Sequence, residues 1–457
     1  MKRILLMICL LLGLMYSTAY AEEMVTELTV TEQNGVAVES YLISRGIPLK
    51  EGYLGADEEL IVKDENHQEI STQCKILTTY DDDSIKWMQI AFLVDLQANE
   101  NRKFFVYKTD KRQKENITVL NENGVITANT GKISISIDNQ GIQKLIVNGY
   151  NVFKEEGTLS VYEGKIGTLY TANGGTVELV EHGPVYAQIL VKTPYNGGVM
   201  RCEQIYTICK NSDKVSCDYR WVSYDGRKAG KDTVSSLYEQ YNLQDGFDTI
   251  VYKSKEISNS SESNPIYSCD WIEVYNQEQN IKFAIVSKDV EKLRKFSGSI
   301  CNGFTNKGNE IIFAPVLYGN EYSWVDGAGR TVHADILVKT ASTIEKDDVL
   351  LTQKNTPAVI INPEVYKNAG LIESSKISSA ALCQVNTAVW MKGRSNGYYR
   401  AGYIPHNIDI KANTFTGTDV PLGETGFNLW YAQMTSGNPD LFDVLVEHEK
   451  EYIDNAI

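Results

Sequence analysis

Two short stretches hold the side chains best suited to acid–base chemistry. In GAGRTVH, Arg330 and His333 stand three residues apart. A guanidinium is a fixed cation for an anionic group, and an imidazole takes or gives a proton near neutral pH. This pair is the first choice for catalytic residues; the competing reading is a turn followed by a strand whose histidine is satisfied within the fold. In GYYRAGYIPHNID, Tyr403 and His406 lie with Arg400 in a tyrosine-rich loop that could line a sugar cleft. Arg45 and Lys50 flank Gly46-Ile47-Pro48 and could reach a ligand across a domain interface, against the plainer alternative of solvated or ion-paired surface. His182, just before Gly183-Pro184, reads as a strand end, and His448, on an apolar helical stripe, as core.

A third stretch, YDDDSIKWMQIAFLVDL, sets Asp81, Asp82 and Asp83 against one of the most apolar runs of the chain. Three carboxylates suggest a calcium site, but calcium needs further oxygen ligands that no other stretch identifies. The plainer reading is a turn that feeds a strand covered on both sides. Within that strand Trp87, Ala91 and Leu93 share one face, and Met88, Ile90, Phe92 and Val94 the other. No paired Cys or His spacing indicates a metal, no phosphate loop, nucleophile motif or H-E-x-x-H occurs, and no cofactor is implied.

The chain begins MKRILLMICLLLGLMYSTAYAEE: two cations, an apolar run and Ala19-Tyr20-Ala21, the pattern of a secretory leader over residues 1–21. A secreted or periplasmic location is expected. The formal charge of −15 becomes −17 when Lys2 and Arg3 leave with the leader. That balance argues against nucleic acid and anionic membrane surfaces as partners, and an acidic polysaccharide would need a locally basic cleft. Seven cysteines remain after the leader, which allows one bridge and does not suggest a disulfide framework.

These residues must be positioned by β-structure. Residues 22–122 hold short runs rich in β-branched and aromatic residues, as in a small barrel. A second β-rich block spans residues 123–345, where TGKISISI, EHGPVYAQILV and TVHADILVKT alternate as strands of a large antiparallel sandwich. Residues 346–457 change character. A proline-bearing connector is followed by Phe427, Trp430, Tyr431 and Met434 at helical spacing, with Gly437 as the stop. Asn438-Pro439-Asp440 then starts a second helix carrying Leu441, Val444, Leu445 and Tyr452. The fold class expected is mainly β, with a barrel, a sandwich and a short helical segment.

Taken together, ISRGIPLKEGYL and DDDSIKWMQIAFLVDL resemble the amino-terminal barrel of exo-rhamnogalacturonan lyases of polysaccharide lyase family 26 and their bacterial relatives. Asp83 stands where that family usually has Gly. TGKISISI, EHGPVYAQILV and GAGRTVHADILV resemble the family's sandwich, PEVYKNAGLI its linker, and LWYAQMTSGNPDLFDVLVEHEKEYID an early hairpin of its alpha/alpha toroid. The resemblance implies elimination across C4 and C5 of galacturonate in an acidic plant cell-wall polysaccharide. A base removes the C5 proton, a cation neutralises the carboxylate and an acid protonates the leaving oxygen, with no metal required. On that reading Arg330 and His333 are catalytic, and Arg45, Lys50, Tyr403 and His406 bind substrate. A toroid of about a dozen helices needs more residues than follow the sandwich. The expectation is therefore a shortened, weakly active or inactive chain, with a second chain carrying the remaining helices as a candidate partner. The competing class is a non-catalytic carbohydrate-binding or interaction module.

Overall fold

The computed structural model describes residues 23–374 apart from 111–113, 197–199, 224–230, 253–254, 259–265, 269, 288, 291–302, 326–328 and 341–356. After them it describes residues 376, 404–409, 414–419, 423–438, 441–442, 444–446 and 449. As expected, the chain is mainly β, with a barrel followed by several antiparallel sheets.

The barrel is built from two sheets. In one, Met24–Thr31 lies between Asn101–Asp110 and Ala358–Ile361, with Glu58–Lys63 and Glu69–Ile70 beyond; in the other, Ile85–Leu96 lies between Val38–Pro48 and Gln73–Thr79. The strand Ile85–Leu96 shows why its sequence is apolar throughout. Met88, Ile90, Phe92, Val94 and Leu96 fill the barrel core. Ala91, with Leu93 beside it, turns the other way and packs on Val185, Tyr186 and Cys209 of the sandwich. One strand therefore serves two cores.

Asp81, Asp82 and Asp83 make the turn into this strand. Asp83 donates its N–H to the Tyr80 carbonyl at 3.1 Å, and Asp82 Oδ1 accepts from the Ser84 N–H at 3.0 Å and from Ser84 Oγ. Asp83 has φ +62°, the left-handed conformation for which Gly is the natural occupant.

The segment after the sandwich returns to the barrel. Ala358–Ile361 pairs antiparallel with Met24–Thr31, Leu28 opposite Ile361. The helix Glu364–Asn368 then buries Val365 and Tyr366 against the barrel core. The helix Gly423–Ser436 ends at Gly437, which has φ +63° and donates to the Gln433 carbonyl at 2.8 Å. Tyr431 and Met434 pack on the barrel core, and a Cβ on Gly437 would lie 2.9 Å from Ile360 Cγ2. Leu441, Val444 and Leu445 are buried, and Trp430 Nε1 donates to Glu449 Oε1 at 3.2 Å. Among the described residues, Tyr431 and Met434 are thus covered at the barrel, and Leu441, Val444 and Leu445 are buried; the Phe427 side chain and Tyr452 lie outside the described residues.

Three sheets of five, six and nine strands enclose the sandwich core, which holds Tyr206, Tyr219, Trp221, Tyr241 and Phe283. In the nine-stranded sheet, Lys214–Ser223 lies between Met200–Cys209 and Gly329–Thr340. Period-two alternation sends Val215, Cys217, Tyr219 and Trp221 inward, together with Val332, Ala334, Ile336 and Val338. Lys214, Ser216, Asp218 and Arg220 therefore share the opposite, half-open face with Thr331, His333 and Asp335.

Candidate functional site

The half-open face of the nine-stranded sheet carries a connected charge cluster. The antiparallel register sets Asp218 opposite His333 and Ser216 opposite Asp335. His333 Nδ1 lies 2.8 Å from Asp218 Oδ1, and Nε2 lies 3.3 Å from Asp335 Oδ1. Beneath it, Asp335 accepts from Ser216 Oγ at 2.6 Å and pairs with Lys214 Nζ at 3.4 Å. The backbone of His333 is held as well: its N–H donates to Asp289 Oδ2 at 2.7 Å, and its carbonyl accepts from Ser287 Oγ at 2.6 Å.

Electrostatics follow from this geometry. Burial disfavours the His333 cation, but hydrogen bonds to Asp218 and Asp335, and the charge of both carboxylates, hold its pKa up to about 10. Burial likewise opposes ionisation of Asp335, yet the Lys214 charge and the His333 contact keep its carboxyl well below the usual range. With an imidazolium whose two nitrogens both face carboxylates, His333 is a donor to anions. A general base needs a free, unprotonated nitrogen.

The adjoining part of the face is also charged. Glu203 pairs with Arg220 Nη1 at 3.3 Å and with Arg201 Nη2 at 3.1 Å. At its other end the cluster meets the barrel, where Lys214 Nζ sits 5.8 Å from the Tyr41 ring centroid. Lys214, Arg201 and Arg220 place cations on this face, each paired with a carboxylate of the chain.

Among the described residues, those singled out from sequence do not converge on one site. Arg330 and His333 lie on one regular strand at odd separation. Arg330 therefore falls on the side of Val332 and Ala334, and His333 on the opposite face. Arg45 lies in Val38–Pro48, its guanidinium 4.5 Å from the Phe442 ring centroid, where it helps seat the C-terminal helices. Lys50 is exposed in the turn after that strand, its carbonyl accepting from the Tyr53 N–H at 3.1 Å. His406 lies in Ile404–Asp409, a strand that pairs with Thr414–Asp419. Tyr403 and His448 fall outside the described residues. His182 Nε2 lies 2.6 Å from the Ile117 carbonyl at the seam between barrel and sandwich.

Lys214, Ser216, Asp218, Asp289 and Asp335 were missed. For all but Asp289 the signal was present as outward polar positions in KVSCDYRW and TVHADILV, but nothing local pairs one stretch with the other.

Two other polar places have titratable groups held by contacts of their own. A cleft of about 410 Å³ opens at the seam, lined by Cys74, Lys75, Lys114, Glu181 and His182 among others. Lys75 is paired with Glu181 at 2.7 Å and Lys114 with Glu59 at 3.1 Å. Burial pushes the Cys74 thiol up to about 11, so it is no nucleophile near neutrality. Inside the sandwich, Glu239 is fully buried, with Gln204 Nε2 3.3 Å from its carboxyl oxygen. Burial pushes its pKa up to about 8, against hydrogen bonds from Ser160, Thr158 and Gln204.

Residues 32–108 match the family described as PcRGLX-like N-terminal RIFT barrel domain. That match places the barrel, and the barrel alone, in a rhamnogalacturonan lyase-like family at a coarse level. No curated protein matches the chain. Among solved structures, an alpha-mannosidase from Enterococcus faecalis V583 is similar at TM-score 0.46 and 12% identity, over 73% of this chain and 46% of that one. A galactose mutarotase related enzyme from Lactobacillus acidophilus is similar at TM-score 0.31 and 8% identity, over 48% of this chain and 99% of that one. The chain spans less than half the length of the mannosidase.

Proposed function

We propose that this chain is an exported pectin-processing protein that acts on rhamnogalacturonan by β-elimination at galacturonate. The observation that carries the reading is the match of residues 32–108 to the PcRGLX-like RIFT barrel. The half-open face of the sandwich adds the chemistry such a ligand asks for. Arg201 and Arg220, which share Glu203, present guanidiniums toward a uronate carboxylate, and Asp218 offers acceptors to sugar hydroxyls. Elimination passes the C5 proton to a base, moves the C5–H electron pair into a C4=C5 double bond and expels the C4 oxygen, which takes up a proton from solvent, so turnover produces a conjugated unsaturated uronate. Incubating the purified chain with rhamnogalacturonan should raise the ultraviolet absorbance of that product. Unchanged absorbance with unchanged polymer length would sink the reading.

A non-catalytic carbohydrate-binding module is the second reading, and one observation favours it: both ring nitrogens of His333 are engaged by carboxylates. Under this reading the protein co-sediments with insoluble pectin and produces no absorbance change.

A further inference from the structure

We infer that Asp218 is the side chain through which the half-open face of the nine-stranded sheet takes a sugar ligand, with His333 as its positioning residue. The inference rests on the carbohydrate reading above and deepens it by naming the contact point.

Three members of the cluster are committed to each other. Asp335 keeps only 12% side-chain exposure and is bonded by Ser216 and Lys214. His333 is held through both ring nitrogens and through its backbone. Asp218 is the open end of the chain Lys214–Asp335–His333–Asp218, with 44% of its side chain exposed. A carboxylate offers about four acceptor positions, so fixing Oδ1 on the imidazole leaves capacity for a pair of sugar hydroxyls. The imidazole contact holds that carboxylate in one orientation, which lowers the entropy lost on binding.

The surroundings of Asp218 are independently suited to a sugar ring. Ile205 stands directly opposite it on the neighbouring strand and is 36% exposed, with half-exposed Leu190 opposite Ile205 on the next strand. Arg220 lies two residues along the same face and pairs with Glu203. An apolar platform beside a fixed carboxylate and a guanidinium matches a pyranose, which shows a CH face, vicinal hydroxyls and, in a uronate, a carboxylate. The charged groups facing His333 are Asp218 and Lys214 of the neighbouring strand, Asp335 of its own strand and Asp289 beyond Ile281–Val286.

Calorimetric titration of the full chain tests this, with oligosaccharides of rhamnogalacturonan, homogalacturonan and a neutral arabinogalactan. On whichever glycan the wild type binds, Asp218→Asn should weaken affinity at least tenfold and His333→Gln about threefold to tenfold. As a readout of positioning, the imidazole nitrogen resonances of His333 should shift on ligand addition in the wild type and stay fixed in Asp218→Asn. If Asp218→Asn does not fold, Ile205→Ser, at an exposed position beside it, carries the test with an expected loss of at least threefold. Wild-type affinity in the folded variant overturns the inference. Binding of another glycan in place of rhamnogalacturonan refutes only the proposed substrate. Binding of none of the three overturns both.

Discussion

The half-open face of the nine-stranded sheet and the sandwich core, where the six-stranded sheet faces it, carry buried carboxylates in opposite states. On the half-open face Asp335 is flanked by Lys214 and His333 and stays ionised well below its usual range. On the inner face Gln204 meets Glu239, whose partners are hydroxyls and an amide and whose pKa rises to about 8. Burial opposes the charge in both cases. What differs is the neighbour: a counter-ion repays the lost hydration of a carboxylate, whereas neutral donors repay only part of it, and the proton stays on. The consequence is functional. A face that keeps charges fixed is suited to meet polar ligands, while a protonated carboxyl in a sealed core serves only to satisfy Gln204, Thr158 and Ser160.

The sharpest way to break this contrast is to remove the charged side. Asp335→Asn keeps the shape but leaves Lys214 and the His333 imidazolium without their shared anion. Breaking a fully buried pair costs about 3–5 kcal/mol, and the partial exposure of Lys214 and His333 puts the loss at the lower end of that range. Urea denaturation at pH 7 should show that loss, and wild-type stability would mean that the cluster is solvated and that its charges are not coupled.

A smaller effect is expected on the inner face, and it depends on pH. The folded Glu239 carboxyl has its pKa raised from 4.5 to about 8. The native state therefore holds more protons than the unfolded chain between those values. Its contribution to stability is full below about pH 4.5 and is lost as pH rises through about 8. In Glu239→Gln the amide cannot ionise, so the variant should match the wild type near pH 5 and exceed it above pH 8, by on the order of a few kcal/mol. Thermal unfolding across that range is the measurement, and parallel curves for the two proteins would remove the protonated-core explanation.

The smallest effect belongs to a carboxylate outside both clusters. Asp83, in the turn of the barrel, sits at φ +62°. Asp83→Gly relieves the left-handed strain, worth roughly 1–2 kcal/mol, but adds freedom to the unfolded chain, worth roughly 0.5–1 kcal/mol. The net gain in urea denaturation should lie between about 0 and 1.5 kcal/mol. A loss of stability would show that the Asp83 side chain holds the turn by a contact that glycine cannot make.

Much of the barrel was legible in the sequence because its signals are local. The turn at Asp81–Asp83 and the two apolar faces of Ile85–Leu96 follow from neighbours within a few residues. So does the helix stop at Gly437. The outward polar residues of Lys214–Ser223 and Gly329–Thr340 were also set by local alternation, as the inward apolar ones were.

What the sequence did not give was partnership. Arg330 and His333 look like a pair because they are close along the chain, yet a strand sends residues at odd separation to opposite faces, and the fold separates them. Asp218 and His333 lie more than a hundred residues apart, and only the register of two strands brings them to 2.8 Å. Arg45 lies 4.5 Å from the Phe442 ring centroid, a neighbour nearly four hundred residues along that no local signal announces. In the same way, Ala358–Ile361 looked like a connector until it became a strand beside Met24–Thr31. Composition and periodicity state which side of a strand a residue faces. Which strand lies next to it is decided by packing of the whole sandwich core, since register is set wherever the buried face must match its partner. The sequence by itself therefore determined the β class, the turns and the polarity of each face. The tertiary structure alone decided which charges meet, because only strand register brings Asp218 to His333.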